Sequence, residues 1–187
     1  MKLSTSRHVI RLTAGKHATD VRHTQHGSEA FLKGSERFLF SMVTVLKKTE
    51  MYQQTLNLVH ELLGHDETVG ELLNEVGKYL FKSQWNGVRA RDELTNLQNG
   101  FYIANLDDHD EPGSHWVALA VKPKVVYYFD SFARPVEKTL KLKDPKRIIV
   151  QETNPDIVQP QKAEDCGQRC LAWLMLFHDD PAEALAI

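Results

Sequence analysis

The segment CGQRCLAWLMLFH, Cys166 to His178, is the strongest constraint on how this chain can fold. A helix there is apolar on several faces, and such a helix is stable in water only when other elements surround it. The sequence offers two kinds of partner. From about Ser35 to Leu80 apolar residues recur at helical spacing, with Tyr52, Leu56, Val59 and Leu63 sharing one face and Val69, Leu72, Leu73, Val76 and Leu80 another. Gly64 reads as the stop of the first helix, and Thr68 with Glu71 as a capping box opening the second. After Trp85 the pattern changes to strands. FYIANL, HWVALAV and KVVYYFD are rich in β-branched and aromatic residues and are punctuated by the turn formers EPGS and KPK, and RIIV at Arg147 to Val150 reads as a fourth strand. Helices, then a small sheet, then one buried helix make an α+β arrangement.

No repeat or long linker divides the 187 residues, so the expectation is one domain over 1–187, mainly helical in 1–80, with the sheet and the buried helix in 85–178. No run approaches the roughly 20 apolar residues of a membrane span. The apolar stretch FLFSMVTVL begins only at Phe38 and runs into Lys47 and Lys48, which does not fit a secretory signal. A soluble protein of a reducing compartment, with no membrane partner, is the expectation. The two cysteines, Cys166 and Cys170, are four apart in one helix, where backbone geometry disfavours a disulfide and no further ligands complete a zinc site. Residues 1–26 carry Lys2, Arg7, Arg11, Lys16 and Arg22 against Asp20 alone, which reads either as a weak DNA-contacting arm or as a solvated terminus. His8, His17, His23 and His26 match no common metal-ligand spacing, and LDDHDEPGS, though acidic, lacks the oxygen spacing of a calcium loop and reads as a turn leading into His115.

Chemistry concentrates at three points. A cysteine attacks as thiolate, and Cys166 stands where a loop becomes a helix, so N–H groups and the positive end of the helix dipole favour a negative sulfur there. The alternative is a buried structural thiol, which is the reading for Cys170. His115 opens the strand HWVALAV, with Trp116 on the opposite face. Asp130 closes the next strand, and two antiparallel strands joined by a short turn bring the start of one beside the end of the other. A carboxylate there can fix the imidazole tautomer and stabilise the imidazolium, although Asp130 followed by Ser131 also reads as a plain turn.

In that order GSHWVAL, YYFDSF and QPQKAEDCGQRCL resemble the adenain-like cysteine proteases, the adenovirus maturation protease group related to SUMO-deconjugating proteases. WNGVRARDEL and NGFYIANLDD resemble upstream segments in proteases of virophages and self-synthesising transposons. The resemblance covers Trp85 to Phe177. It implies the adenain or ubiquitin-like-protease fold, with Cys166 as nucleophile, His115 as general base and then acid, and Asp130 as orienting carboxylate. Gln159, seven residues before Cys166 and followed by Pro160, would form the oxyanion hole with the backbone N–H groups of Cys166 and Gly167, while Gln161 would face solvent. Trp116 and Trp85 are candidate cleft aromatics, and Trp85 reads equally well as a core residue. No metal or organic cofactor is implied. The implied substrates are viral capsid or structural precursors with small residues near the scissile bond, cut at the assembly site in the host cytoplasm and inside the virion. A disulfide-linked peptide activator does not fit a chain with no cysteine outside this helix. Removal of a ubiquitin-like modifier and an inactive binding module are the competing readings.

Overall fold

The computed structural model describes residues 50–140, 142, 149–153 and 156–187, which belong to one compact unit. The basic arm of residues 1–26 with its histidines, the Phe38 segment, and Arg147 with Ile148 lie outside the described residues.

The first described helix, α1 (50–63), buries Tyr52, Leu56 and Val59 and packs Leu63 against the same core, the face expected from its spacing. Gly64 ends it at φ +81°, donating its N–H to the His60 carbonyl at 2.8 Å. Helix α2 (Gly70–Phe81) corrects two expectations. Its inward line is Leu73, Gly77 and Phe81, with Val76 and Leu80 partly buried beside them, whereas Val69 and Leu72 are exposed. The spacing of four along 73, 77 and 81 selects the buried face, and Leu72 stands about 100° round the helix from it. Nor does Thr68 cap this helix. Val69 is the N-cap in extended backbone, and the buried Thr68 hydroxyl points back to the Asp66 carbonyl.

Five strands form one mixed sheet in the order β1-β2-β3-β4-β5: β1 (Trp85–Arg89), β2 (Gly100–Asn105), β3 (Trp116–Val121), β4 (Val125–Phe129) and β5 (Ile149–Glu152). The three central strands match the sequence expectation, and β5 overlaps the expected RIIV. Strand β1 is additional. With Asn86, Gly87 and Arg89 it carries little β preference, and it pairs parallel to β2 with a register irregularity between Trp85 and Gly87. The pairs β2–β3 and β3–β4 are antiparallel, and β4–β5 is parallel.

Side chains alternate across the sheet. Phe101, Ile103, Ala118, Ala120 and Phe129 face α1, α2 and α4 (Cys166–Asp179), while Tyr102, Val117, Leu119, Val126 and Tyr128 pack on the other side against Leu94, Leu97 and the short helix α3 (Val136–Thr139). Along α4 every residue from Cys166 to Leu174 is buried, as the apolar segment requires. Its Trp173 ring stacks on Phe129 at 5.3 Å and 8°, and the Trp173 indole N–H reaches the Ala184 carbonyl of α5 (Pro181–Ala184). Such a pair contributes about 0.5–1.5 kcal/mol beyond its buried area, and it fastens α4 to the strand that Asp130 follows.

Gly100, which opens β2, has φ +131°, and a Cβ there would stand 2.2 Å from the Gln84 carbonyl oxygen. Gly100→Ala is expected to lower stability by at least about 2 kcal/mol, since a backbone clash adds to the 1–3 kcal/mol of a disfavoured φ. The midpoint of urea unfolding checks this.

Candidate active site

The hairpin β3–β4 sets the site. The Leu106 N–H donates to the His115 carbonyl at 3.0 Å, continuing the β2–β3 ladder by one step, so His115 is held immediately before β3. Asp130 immediately follows β4, beside it across the antiparallel pair, in which Ala118 faces Phe129. Both side chains are buried, and His115 Nε2 lies 2.8 Å from Asp130 Oδ1. The same oxygen accepts the Phe132 N–H at 2.9 Å, and Oδ2 accepts Arg134 Nε at 2.8 Å and the Tyr128 hydroxyl at 3.4 Å. Burial by itself would raise the Asp130 carboxyl, but His115, Arg134 and the Phe132 N–H outweigh it and hold the group below the ordinary carboxylate range. Asp130 is therefore an anion at neutral pH. With Nε2 committed to it, Nδ1 is the imidazole nitrogen left for another partner, while the ring packs against Phe132 at 5.0 Å.

Cys166 begins α4, whose N-cap Asp165 makes no side-chain cap bond, so N–H groups of the first turn are left for the sulfur. The backbone N–H groups of Trp116, Gly167 and Cys166 itself pull the thiol pKa down, but burial is the larger effect and pushes it above the ordinary thiol value. This qualifies the expectation from helix position alone: the donors are present, but the sequence does not reveal the desolvation that opposes them. The first turn of α4 also lies against the strand that starts next to His115, and Cys166 and Trp116 line one cleft.

Gly167 permits this approach. A Cβ there would meet Leu73 Cδ1 at 2.9 Å and Trp116 Cδ1 at 3.3 Å, so the missing side chain lets the first turn of α4 close on α2 and β3. His115, Trp116 and Cys166 line one cleft of about 430 Å³. Its lining also includes Asp108, His109 and Glu111 of the acidic turn that leads into His115. That turn is fastened by Arg91 to Asp108 at 2.9 Å and by His109 to Asp92 at 2.7 Å.

The structure decides between the two readings of Trp85. Its ring lies on Gly77 and stacks on Phe81, and its indole N–H bonds Asn74 at 3.0 Å, so it belongs to the core and not to the cleft. Cys170 is fully buried, and burial raises its thiol well above the usual range, as a structural cysteine requires. Gln159 is buried, with Oε1 accepting from the Ser131 hydroxyl at 2.6 Å and Nε2 donating to the Ala163 carbonyl at 2.5 Å, whereas Gln161 is exposed. The residues around Asp130 were missed from sequence. Arg134, four positions on, was the legible signal, a cation within reach of a carboxylate at a strand end. Among the described residues no cluster of histidine, cysteine and carboxylate side chains could hold a metal ion, and no helix is long and apolar enough to cross a membrane.

If His115 accepts the Cys166 proton, His115→Ala leaves burial opposed only by backbone N–H groups. Alkylation of Cys166 by iodoacetamide should then rise about tenfold per pH unit past the ordinary thiol range, and be slower than wild type at pH 7. Coincident profiles for the two proteins would remove His115 from this role. No protein-family model matches the chain, and no curated protein matches it by sequence.

Proposed function

We propose that the chain is a cysteine endopeptidase of the adenain type. The observation that carries this reading is that Cys166 lines the same cleft as a histidine whose Nε2 is bound to a buried, ionised Asp130. Cys166 Sγ attacks the substrate carbonyl carbon as its proton passes to Nδ1 of His115, and Asp130 stabilises the resulting imidazolium. The oxyanion is met by backbone N–H groups at the start of α4 and by the second N–H of Gln159 Nε2, whose first is given to Ala163. The tetrahedral intermediate collapses as His115 returns the proton to the leaving amine. Water, deprotonated by the same imidazole, then hydrolyses the thioester and restores the thiol.

The order of His, Asp, Gln and Cys motifs supports viral capsid or structural precursors as substrates, cut beside glycine during particle assembly in the host cytoplasm and inside the particle. The test is to co-express wild type or Cys166→Ala with the capsid proteins of the same genome and to measure the termini of the products by mass spectrometry. New termini with wild type alone are expected. Intact capsid protein with both, alongside cleavage of a diglycine-terminated modifier conjugate, would transfer the chemistry to modifier removal. If neither the capsid protein nor the modifier conjugate is cut, the peptidase reading is removed.

Two comparisons sharpen the residue roles. Cys166→Ala should abolish cleavage, while Cys170→Ala, at a protonated position in the core, should retain most of it. Gln159→Ala should lower kcat roughly a hundred- to a thousandfold with little change in KM, as loss of one oxyanion donor does, and the exposed Gln161→Ala should stay within a few-fold of wild type. Steady-state kinetics on purified variants check both, and the reverse ranking of the glutamines would move the oxyanion role to Gln161.

A further inference from the structure

The loop that carries Gln159 and ends at Cys166 has both of its ends tied to one buried side chain. Arg169, one turn into α4 and 8% exposed, donates Nε to Asp165 Oδ1 at 2.8 Å and Nη1 to the Val158 carbonyl at 2.5 Å. Val158 immediately precedes Gln159, and Asp165 immediately precedes Cys166. Elsewhere the same residues are fixed to the rest of the fold. Asp165 Oδ2 lies 3.0 Å from Nε2 of His60 on α1, and the Val158 and Gln159 N–H groups both reach the Ser131 carbonyl, at 2.9 and 3.1 Å.

Stability is a weak reason for such a pair, because a buried ion pair is often no better than apolar residues of the same volume. What the guanidinium does fix, through two hydrogen bonds in one rigid plane, is the separation of the loop ends. We infer that Arg169 is a positioning residue: through the Val158 carbonyl and Asp165 it sets where the Gln159 amide stands relative to the Cys166 backbone N–H. This rests on the peptidase reading, in which both groups receive the oxyanion.

Two rates separate positioning from folding. Turnover of a fluorogenic peptide ending in Gly-Gly-aminomethylcoumarin needs the oxyanion hole, whereas alkylation of Cys166 by iodoacetamide forms no oxyanion and needs only the thiolate. For Arg169→Met, kcat should fall about a hundredfold, the usual scale for displacing a reacting group by an ångström, with KM and the alkylation rate each within about threefold of wild type. Arg169→Lys, which keeps nearly the same volume, should show the same split with a smaller loss of kcat, and it carries the test if Arg169→Met does not fold. A parallel fall of turnover and alkylation in the folded variants would reduce the brace to a structural role and overturn the inference. So would unchanged kcat in both beside an active wild type. A wild type that leaves the peptide uncut, with Cys166 alkylated no faster than in His115→Ala, would instead overturn the peptidase reading itself.

Discussion

Burial of α4 between the sheet and the helices α1 and α2 is the constraint from which the rest of this structure follows. Leu171, Trp173 and Leu174 are fully buried, and each such side chain contributes about 1.5–3 kcal/mol by leaving water. That driving force also carries Gln168 and Arg169 into the interior, where a polar group without a partner is costly. The partners come from the surrounding elements. Gln168 Nε2 donates to the Gly64 and Asp66 carbonyls, at 3.2 and 2.6 Å, and so closes the α1–α2 connection over the helix, although its Oε1 is buried without a partner. Arg169 does the same for the loop that enters α4 from the sheet. The donors carried inward by one buried helix thus fix the position of two connections, and the first residue of that helix is Cys166.

The site divides its charges unequally. Asp130 is surrounded by donors and remains an anion inside the protein, while burial pushes the Cys166 thiol up despite the opposing pull of nearby backbone N–H groups. The imidazole of His115 is bonded to that fixed carboxylate and lines the same cleft as the thiol, and in the peptidase proposed above the imidazolium formed during attack would be stabilised by a charge already in place. Arg134 bonds the far oxygen of Asp130 and offsets part of that charge.

Much of the layout was legible in the chain. Strands β2, β3 and β4 follow from runs of β-branched and aromatic residues, the buried face of α1 from its spacing, and the end of α1 from Gly64. The meeting of His115 with Asp130 follows from a strand start and a strand end joined by a short hairpin. Two features escaped and a third, the place of Trp85, stayed open, because each depends on a neighbour in space. Leu72 has the composition of a core residue, but the neighbours of α2 lie along Leu73, Gly77 and Phe81. Strand β1 has little intrinsic preference for extension and exists because β2 offers it an edge. Trp85 belongs to the core because Gly77, eight residues earlier, leaves room for its ring.

By itself, then, the sequence determined the α+β arrangement, the order in which His115, Asp130, Gln159 and Cys166 occur, and the need for one helix to be enclosed. Hydrophobic periodicity and turn chemistry are local, and they can be read along the chain. Only the tertiary structure decided that Cys166 and His115 share a cleft, that burial holds the thiol above its ordinary pKa, and that Arg169 links the two ends of the loop bearing Gln159. Those outcomes depend on desolvation and on hydrogen-bond geometry, both of which are set by residues distant in the chain, and neither leaves a mark in the local pattern.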